Sequence, residues 1–348
     1  MSISIIVVDT INKINAEEWD GLSAGKPFQS HTWYKFGEQV MVGNTPVYLL
    51  AYLNNELVGR LALWVTPNEP LPQSLGYGRW ILNPVMRKWP LFICRSPIAQ
   101  TSGLVVSTTA ESPKQIVETL TQTAIEQGRN NKCAALLFDY LSSQDKEILP
   151  QGIHTMQAAD SGNILNNTWE DFDQYLARGD KKARRHYHRT LREIEGLNVR
   201  IEHRQHAENI AQILPLVRNV EKQHGAPINP WTESLLLNMD KVKSTLLTAS
   251  DANGKVVGCM LFLEDGSGQI ATAFGRQQDM PYVYLGLFYE GIRIAMEHKI
   301  KFLRWGSGAY ELKRRMGFTL EDNGAIAFTF LHPLLQNLSN KVLNFMWS

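Results

Sequence analysis

The chain has 348 residues, 44% of them apolar and 20% charged, with a formal net charge of +1 at pH 7. A length of this order holds two ordinary domains with substantial cores. The near-neutral balance excludes a globally basic nucleic-acid binder and an acidic disordered chain, so DNA is not an expected partner and any attraction to phosphate is local.

The opening, MSISIIVVDT, lacks the basic segment and long apolar run of a secretion signal and reads as a first strand. No later run reaches the roughly 18 apolar residues that span a bilayer, so integral membrane contact is not expected. Residues 47–65, VYLLAYLNNELVGRLALWV, read as a hairpin turning at Asn54-Asn55. The Pro- and Gly-rich stretch 66–113 reads as loops over the first domain's face, a lid or acceptor surface. Residues 115–140 read as an amphipathic helix with a stripe of Ile116, Leu120, Thr123 and Ala124, then a loop and a buried strand. A polar, turn-rich segment at 145–165 marks a domain boundary. Beyond it the pattern returns. Residues 244–264, STLLTASDANGKVVGCMLFLE, form a second hairpin turning over Asp251 to Gly254, and 285–306 form a second helix and strand with a stripe of Leu287, Ile292, Ala295 and Met296. A Val-Gly pair opens the second strand of each hairpin, Val58-Gly59 and Val257-Gly258.

Hairpin, helix and strand, twice over, indicate a duplicated α/β unit, with a first domain at 1–152 and a second at 153–348. The tail FLHPLLQNLSNKVLNFMWS is amphipathic with a single lysine and reads as a packed terminal helix. Cys94, Cys133 and Cys259 lie far apart in apolar contexts, with no CxxC or Cys/His spacing. They read as buried reduced thiols of a cytoplasmic protein, and no metal site is expected.

Three stretches of the second half carry chemistry. Residues 171–196, DFDQYLARGDKKARRHYHRTLREIEG, read as one helix with an apolar stripe of Ala183, Tyr187, Leu191 and Ile194, flanked by Lys181, Arg184, Arg185, His188 and Arg192. So dense a cationic face is either solvated or grips phosphates of a nucleotide, coenzyme A, tRNA, anionic lipid or cell-wall precursor. In the second stretch a strand ends at Phe274-Gly275-Arg276, a loop holds Gln277 to Pro281, and a helix begins near Tyr284. Orphan N–H groups at a helix start suit an anionic ligand, with Arg276 as a bidentate contact and Pro281 and Tyr284 shaping a donor entrance. The third is KFLRWGSGAYELKRRMGF, residues 301–318, where a strand opens into Gly306-Ser307-Gly308 and a short helix carrying Tyr310, Lys313, Arg314 and Arg315. Glycines admit a ligand to the backbone, and helical spacing is expected to bring Tyr310, Lys313 and Arg314 to one site. Asp279, Glu290 and His298 are candidates for a general base by location alone. No G-x-S-x-G elbow, Walker loop, H-E-x-x-H or dinucleotide fingerprint occurs, so hydrolase, NTPase, zinc-protease and dehydrogenase readings find no support.

The segments RHYHRTLREIEG (Arg185 to Gly196) and G-x-G-x-Y-x-x-K-R-R-x-G-F (Gly306 to Phe318) resemble the FemAB-like and BioF2-like branch of the GNAT acyltransferase superfamily. PFQSHTWYKFGE, residues 27–38, resembles that branch's early segment, so the likeness covers about 27 to 330. It implies two tandem GNAT-like domains of α/β (α+β) class, each a mixed, mostly antiparallel sheet flanked by helices. The first would offer an acceptor surface and the second the acyl-transfer site. The implied enzyme is an N-acyltransferase moving an acyl group, acetyl included, from an activated donor to the amine of a small molecule or precursor. The lysine that assists the tetrahedral intermediate in that branch matches Lys313, with Tyr310 beside it. Lys35 and Arg184 or Arg185 match its acceptor-binding cations. The R/Q-x-x-G-x-G/A diphosphate loop of acetyl-CoA users is not supplied by Arg276-Gln277-Gln278-Asp279-Met280-Pro281. An acyl-CoA, an acyl-carrier protein and an aminoacyl-tRNA therefore all stay open as donors. A cell-wall aminoacyltransferase is one alternative, and a non-catalytic binding protein retaining the duplicated fold is another.

Overall fold

In the computed structural model, which describes residues 3–70, 78–157, 161–179, 181–223 and 228–332, the chain forms two compact units. Among these residues the first unit runs up to 161 and regains the chain from 322, and the second is Gly162–Glu321.

The first unit begins with β1 (Ser4–Val8), α1 (Ala16–Ser23) and α2 (His31–Val40), followed by the hairpin β2 (Thr45–Leu53) and β3 (Glu56–Thr66). Asn54 and Asn55 both take positive φ, 51° and 66°, the backbone of a two-residue turn whose twist matches that of its strands. Then come α3 (Gly78–Lys88), β4 (Leu91–Cys94), β5 (Leu104–Val106), α4 (Pro113–Asn130), β6 (Ala135–Leu141), α5 (Ser143–Glu147) and β7 (His154–Gln157). The stretch 66–113 is therefore not all loop. β4 is an interior strand, antiparallel to β3 and parallel to β6. At four residues between Pro90 and Pro97 it is too short to show a strand pattern. On α4 the expected Ile116, Leu120 and Ala124 are buried against the sheet together with Val117 and Thr121, while Thr123 is half-buried.

The second unit contains β8 (Asn163–Asn166), α6 (Phe172–Ala177), α7 (Lys181–Gly196), β9 (Arg200–Arg204), α8 (Ile210–Gln223), α9 (Thr232–Leu237), β10 (Lys243–Ser250), β11 (Val256–Asp265), β12 (Gly268–Arg276), α10 (Pro281–Glu297), β13 (Phe302–Arg304), α11 (Tyr310–Arg315) and β14 (Thr319–Leu320). Its sheet runs β14-β8-β13-β12-β11-β10-β9, and only β12 and β13 pair in parallel. Leu287, Ile292, Ala295 and Met296 of α10 are buried in its core. The segment 171–196, expected as one helix, is two, broken after Ala177. On α7, Tyr187 and Ile194 are buried, but Leu191 is 43% exposed and Thr190 fills its place. Thr190 tolerates burial because its hydroxyl donates to the His186 carbonyl at 2.9 Å.

The duplication shows in the glycines of the two Val-Gly pairs. A Cβ on Gly59 would lie 2.6 Å from Ile116 of α4, and one on Gly258 would lie 2.5 Å from Val283 of α10. In each unit a bare backbone lets the crossover helix lie close against the hairpin.

The last described strand, β15 (Ala325–Phe330), returns to the first unit between β6 and β7, antiparallel to both. The first sheet thus runs β1-β2-β3-β4-β6-β15-β7, with β5 beside β3. This differs from the expected division at 152/153, because the choice of sheet for a six-residue strand is made by distant partners. The tail expected as a terminal helix, 330–348, begins on the last residue of β15 and lies outside the described residues from 333 on. The three cysteines are buried and unpaired by disulfides. Among the described residues no helix is long and apolar enough to cross a membrane.

Candidate active site

The parallel pair of the second unit separates early. β12 and β13 are in register only from Gly268↔Phe302 to Ile270↔Arg304. β12 then runs on to Arg276, with a register shift against β11 between Cys259 and Leu261 and a positive φ of 45° at Ala273. Beyond Arg304 the chain turns to β8, where the Trp305 N–H donates to the Asn163 carbonyl at 3.0 Å. The edge of β12 from Ala271 to Arg276 is left unpaired by β13, a gap between two strands into which an extended ligand can lay its own polar groups.

Beside this gap, the Tyr284 ring packs 4.5 Å from Phe274 and 4.3 Å from Phe288. Burial raises its phenol pKa, and the Arg276 charge opposes that. Arg276 itself donates to the carbonyls of Gln277 and Gln278, at 3.3 and 2.9 Å. Pro281 opens α10 and supplies no N–H. Arg276 held by its own loop, the missing N–H and the exposed Asp279 carboxylate do not fit the diphosphate of coenzyme A.

The glycine turn lies at the end of β13. Gly306, Gly308 and Ala309 take φ of 63°, 86° and 49°. The Gly306 carbonyl accepts from the backbone and side-chain nitrogens of Asn163, at 3.0 and 2.8 Å. Lys313 is 4% exposed and donates to the carbonyls of Trp305, Gly306 and Ser307, at 2.5, 3.0 and 3.5 Å. No carboxylate pairs with it among the described residues, and burial pushes its ammonium down to about 8. With the carbonyls drawn toward Lys313, the N–H groups of Ser307, Gly308 and Ala309 have no partner among the described residues. Successive N–H groups in a left-handed turn form a concavity that favours negative charge.

The site residues expected from sequence separate into groups. Arg276 and Tyr284 lie together, as do Gly306, Ser307, Gly308 and Lys313. Tyr310, half-buried, starts α11. Contrary to the expected convergence of Tyr310, Lys313 and Arg314, Arg314 faces solvent and binds Glu311 at 2.8 Å, as Arg315 does at 3.1 Å. One helical turn cannot point three successive cations the same way. Arg184 and Arg185 are exposed on α7, and Lys35 is exposed on α2 of the first unit. Two candidate bases have structural partners: Glu290 binds His203 and Arg293, at 2.9 and 3.2 Å, and His298 binds Glu264 at 2.6 Å.

Two further groups were not among the expected site residues. In the second unit, His186 of α7 meets the Tyr289 hydroxyl at 2.8 Å. Burial lowers its pKa, with Arg315 and Arg189 adding to the effect. In the first unit, Arg95 follows the last parallel pair of β4 and β6, Cys94↔Phe138. It grips Glu69 with two bonds, at 2.7 and 2.6 Å, and reaches Asp139 at 3.8 Å. A lone acid in the apolar run LLFDY was the only cue to this group.

Solved structures place the chain by fold. A tandem GNAT protein from the clavulanic acid biosynthesis pathway superposes with a TM-score of 0.60 at 10% identity, covering 95% of this chain and 99% of that one. FemX superposes with a TM-score of 0.63 at 11% identity, covering 93% and 98%. A conserved protein of unknown function from Bacteroides thetaiotaomicron gives 0.52 at 11%, covering 94% and 100%. No curated protein sequence matches the chain. Two mixed sheets, each with one parallel pair beneath a crossover helix, thus define a tandem GNAT-type α/β protein. The chain belongs to the FemAB-like family, described by peptidoglycan biosynthesis/recognition, whose profile matches residues 10–345. It is a transferase of the acyl-transfer type.

Proposed function

We propose that the second unit transfers an acyl group, aminoacyl in keeping with the family, from an activated ester donor to an amine of a cell-wall precursor in the cytoplasm. The observation that carries this reading is the Gly306–Ala309 turn, whose carbonyls are held by Lys313 and Asn163 while three of its N–H groups have no partner among the described residues. The donor lies along the unpaired edge of β12, its carbonyl oxygen toward those N–H groups. The neutral amine attacks the carbonyl carbon, a C–N bond forms, and negative charge collects on the oxygen where the N–H groups stabilise it. The intermediate then collapses, the C–O bond to the leaving alcohol breaks, and the proton lost by the amine passes to that leaving oxygen. In this reading Tyr310 orients the donor or hands over that proton, and Tyr284 shapes the donor's path. Arg184 and Arg185 are the cations of this unit's α7 available to an anionic donor or acceptor. An aminoacyl-tRNA is preferred to acyl-CoA, because the Arg276–Pro281 loop does not fit the coenzyme's diphosphate.

In this reading Lys313 is a positioning residue that also adds positive field to the turn. Its pKa near 8 makes a pH test possible. Only the ammonium fastens all three carbonyls, so activity is expected to fall as pH rises through about 8. Lys313→Arg stays charged and should lose that alkaline limb, whereas Lys313→Met should lower kcat roughly 10²-fold at neutral pH, the scale of one oxyanion donor. A folded Lys313→Met with full turnover, or an unchanged alkaline limb in the arginine variant, refutes the assignment.

A further inference from the structure

Trp80 is 85% exposed, whereas Trp19, Trp33 and Trp64 are fully buried and Trp231 and Trp305 nearly so. So large an apolar ring left in water marks a surface that meets something. Trp80 stands in α3, where helical spacing puts it on one face with Asn83, Pro84, Arg87 and Lys88, all exposed. Met86, on the other side, is buried and anchors the helix to the first unit. A rise of 1.5 Å per residue places Arg87 about 10 Å along the axis from Trp80, so indole and cations can reach one plane together. No Asp or Glu occurs between Glu69 and Glu111. In a chain with 34 acidic residues, that acid-free interval leaves α3 with no carboxylate of its own beside Arg87 and Lys88.

We propose that this face of α3 docks the protein on an anionic lipid surface. An indole prefers the headgroup boundary, where its ring is shielded and its N–H finds an oxygen partner. Arg87 and Lys88 lie where lipid phosphates would be, and no carboxylate on the helix repels them. Among the described residues the exposed face holds one aromatic beside Asn83, Arg87 and Lys88, so it rests at the interface and does not span the bilayer. The docking is independent of the acyl-transfer reading, since none of its residues belongs to that site.

The test is sedimentation of the full-length protein with phosphatidylcholine vesicles containing phosphatidylglycerol and with vesicles of phosphatidylcholine alone. The protein should pellet with the first and stay in solution with the second. Trp80→Ala and the pair Arg87→Glu/Lys88→Glu should each lower partitioning about tenfold, the scale set by one interfacial anchor or a few charges. Because these side chains are exposed, circular dichroism should not change. Wild-type protein that ignores both vesicles, or variants that pellet like wild type, would overturn the proposal. So would a Trp80→Ala variant that keeps vesicle binding but loses binding to a single-stranded oligonucleotide, since an exposed indole can also stack on bases.

Discussion

Asp139 lies where β6 parts from β4, and burial raises its carboxyl to about 6, with the Arg95 charge opposing and the Glu69 charge adding to the rise. A folded-state pKa above the ordinary 3.8 means that the folded protein holds this proton more tightly than the unfolded chain. The stability it contributes is fully present below pH 3.8 and is lost as pH rises through about 6. Asp139→Asn should therefore flatten the pH dependence of unfolding over that window. The difference between the two proteins is at most about 3 kcal/mol, at 1.36 kcal/mol per pKa step. Urea titrations at several pH values would read it, and parallel curves for both proteins would refute it. The same residue shows where single-sequence reading stops. Its partner Arg95 and that residue's other partner, Glu69, stand far from it in sequence, and only the fold brings them within reach. Lys313 was found because glycines and a tyrosine accompany it at short range. Which of Lys313, Arg314 and Arg315 points inward depends on the start of α11, and the string KRR alone does not set that phase.

At the level of elements, strong local signals survived into the structure. Both hairpins carry turn residues whose backbone preferences set the register, and α4 and α10 carry apolar stripes of helical period. β4, β5 and α3 were hidden in the Pro- and Gly-rich stretch because each strand has only three or four residues and α3 contains Pro84. Packing between elements shows in the glycines, and it predicts unequal costs for the same substitution. A Cβ on Gly275 of β12 would lie 2.6 Å from the Val217 nitrogen and 2.7 Å from the Leu216 carbonyl carbon, both backbone of α8. A Cβ on Gly286 of α10 would instead meet the tip of Ile194 at 2.3 Å. Backbone cannot step aside without moving the helix, whereas an isoleucine methyl can rotate away. Gly275→Ala should lie at the upper end of the roughly 1–3 kcal/mol typical of overpacking. For Gly286→Ala a smaller clash is offset by about 1 kcal/mol of gained helix propensity. Urea denaturation should rank the two variants in that order, and equal losses would show that α8 shifts freely over Gly275.

For the whole molecule, the duplication could be read from order alone, since hairpin, helix and strand recur with the same Val-Gly pair. The membership of the last strand could not. β15 is a short apolar run like many others, and its place between β6 and β7 is set by pairing with strands more than 160 residues earlier in the chain. A sheet entered by a strand so distant in sequence closes only when that strand arrives, which makes the first unit depend on the chain's far end. A chain ending at Glu321 would lose the partner of β6 and β7, and with it the buried Ala325, Ala327 and Leu331. The second unit, Gly162–Glu321, would keep every strand of its own sheet. Scanning calorimetry of the shortened chain should therefore retain the unfolding transition of the second unit and lack that of the first. If both transitions persist, β6 and β7 hold without β15, and the late strand merely covers an edge that is stable without it.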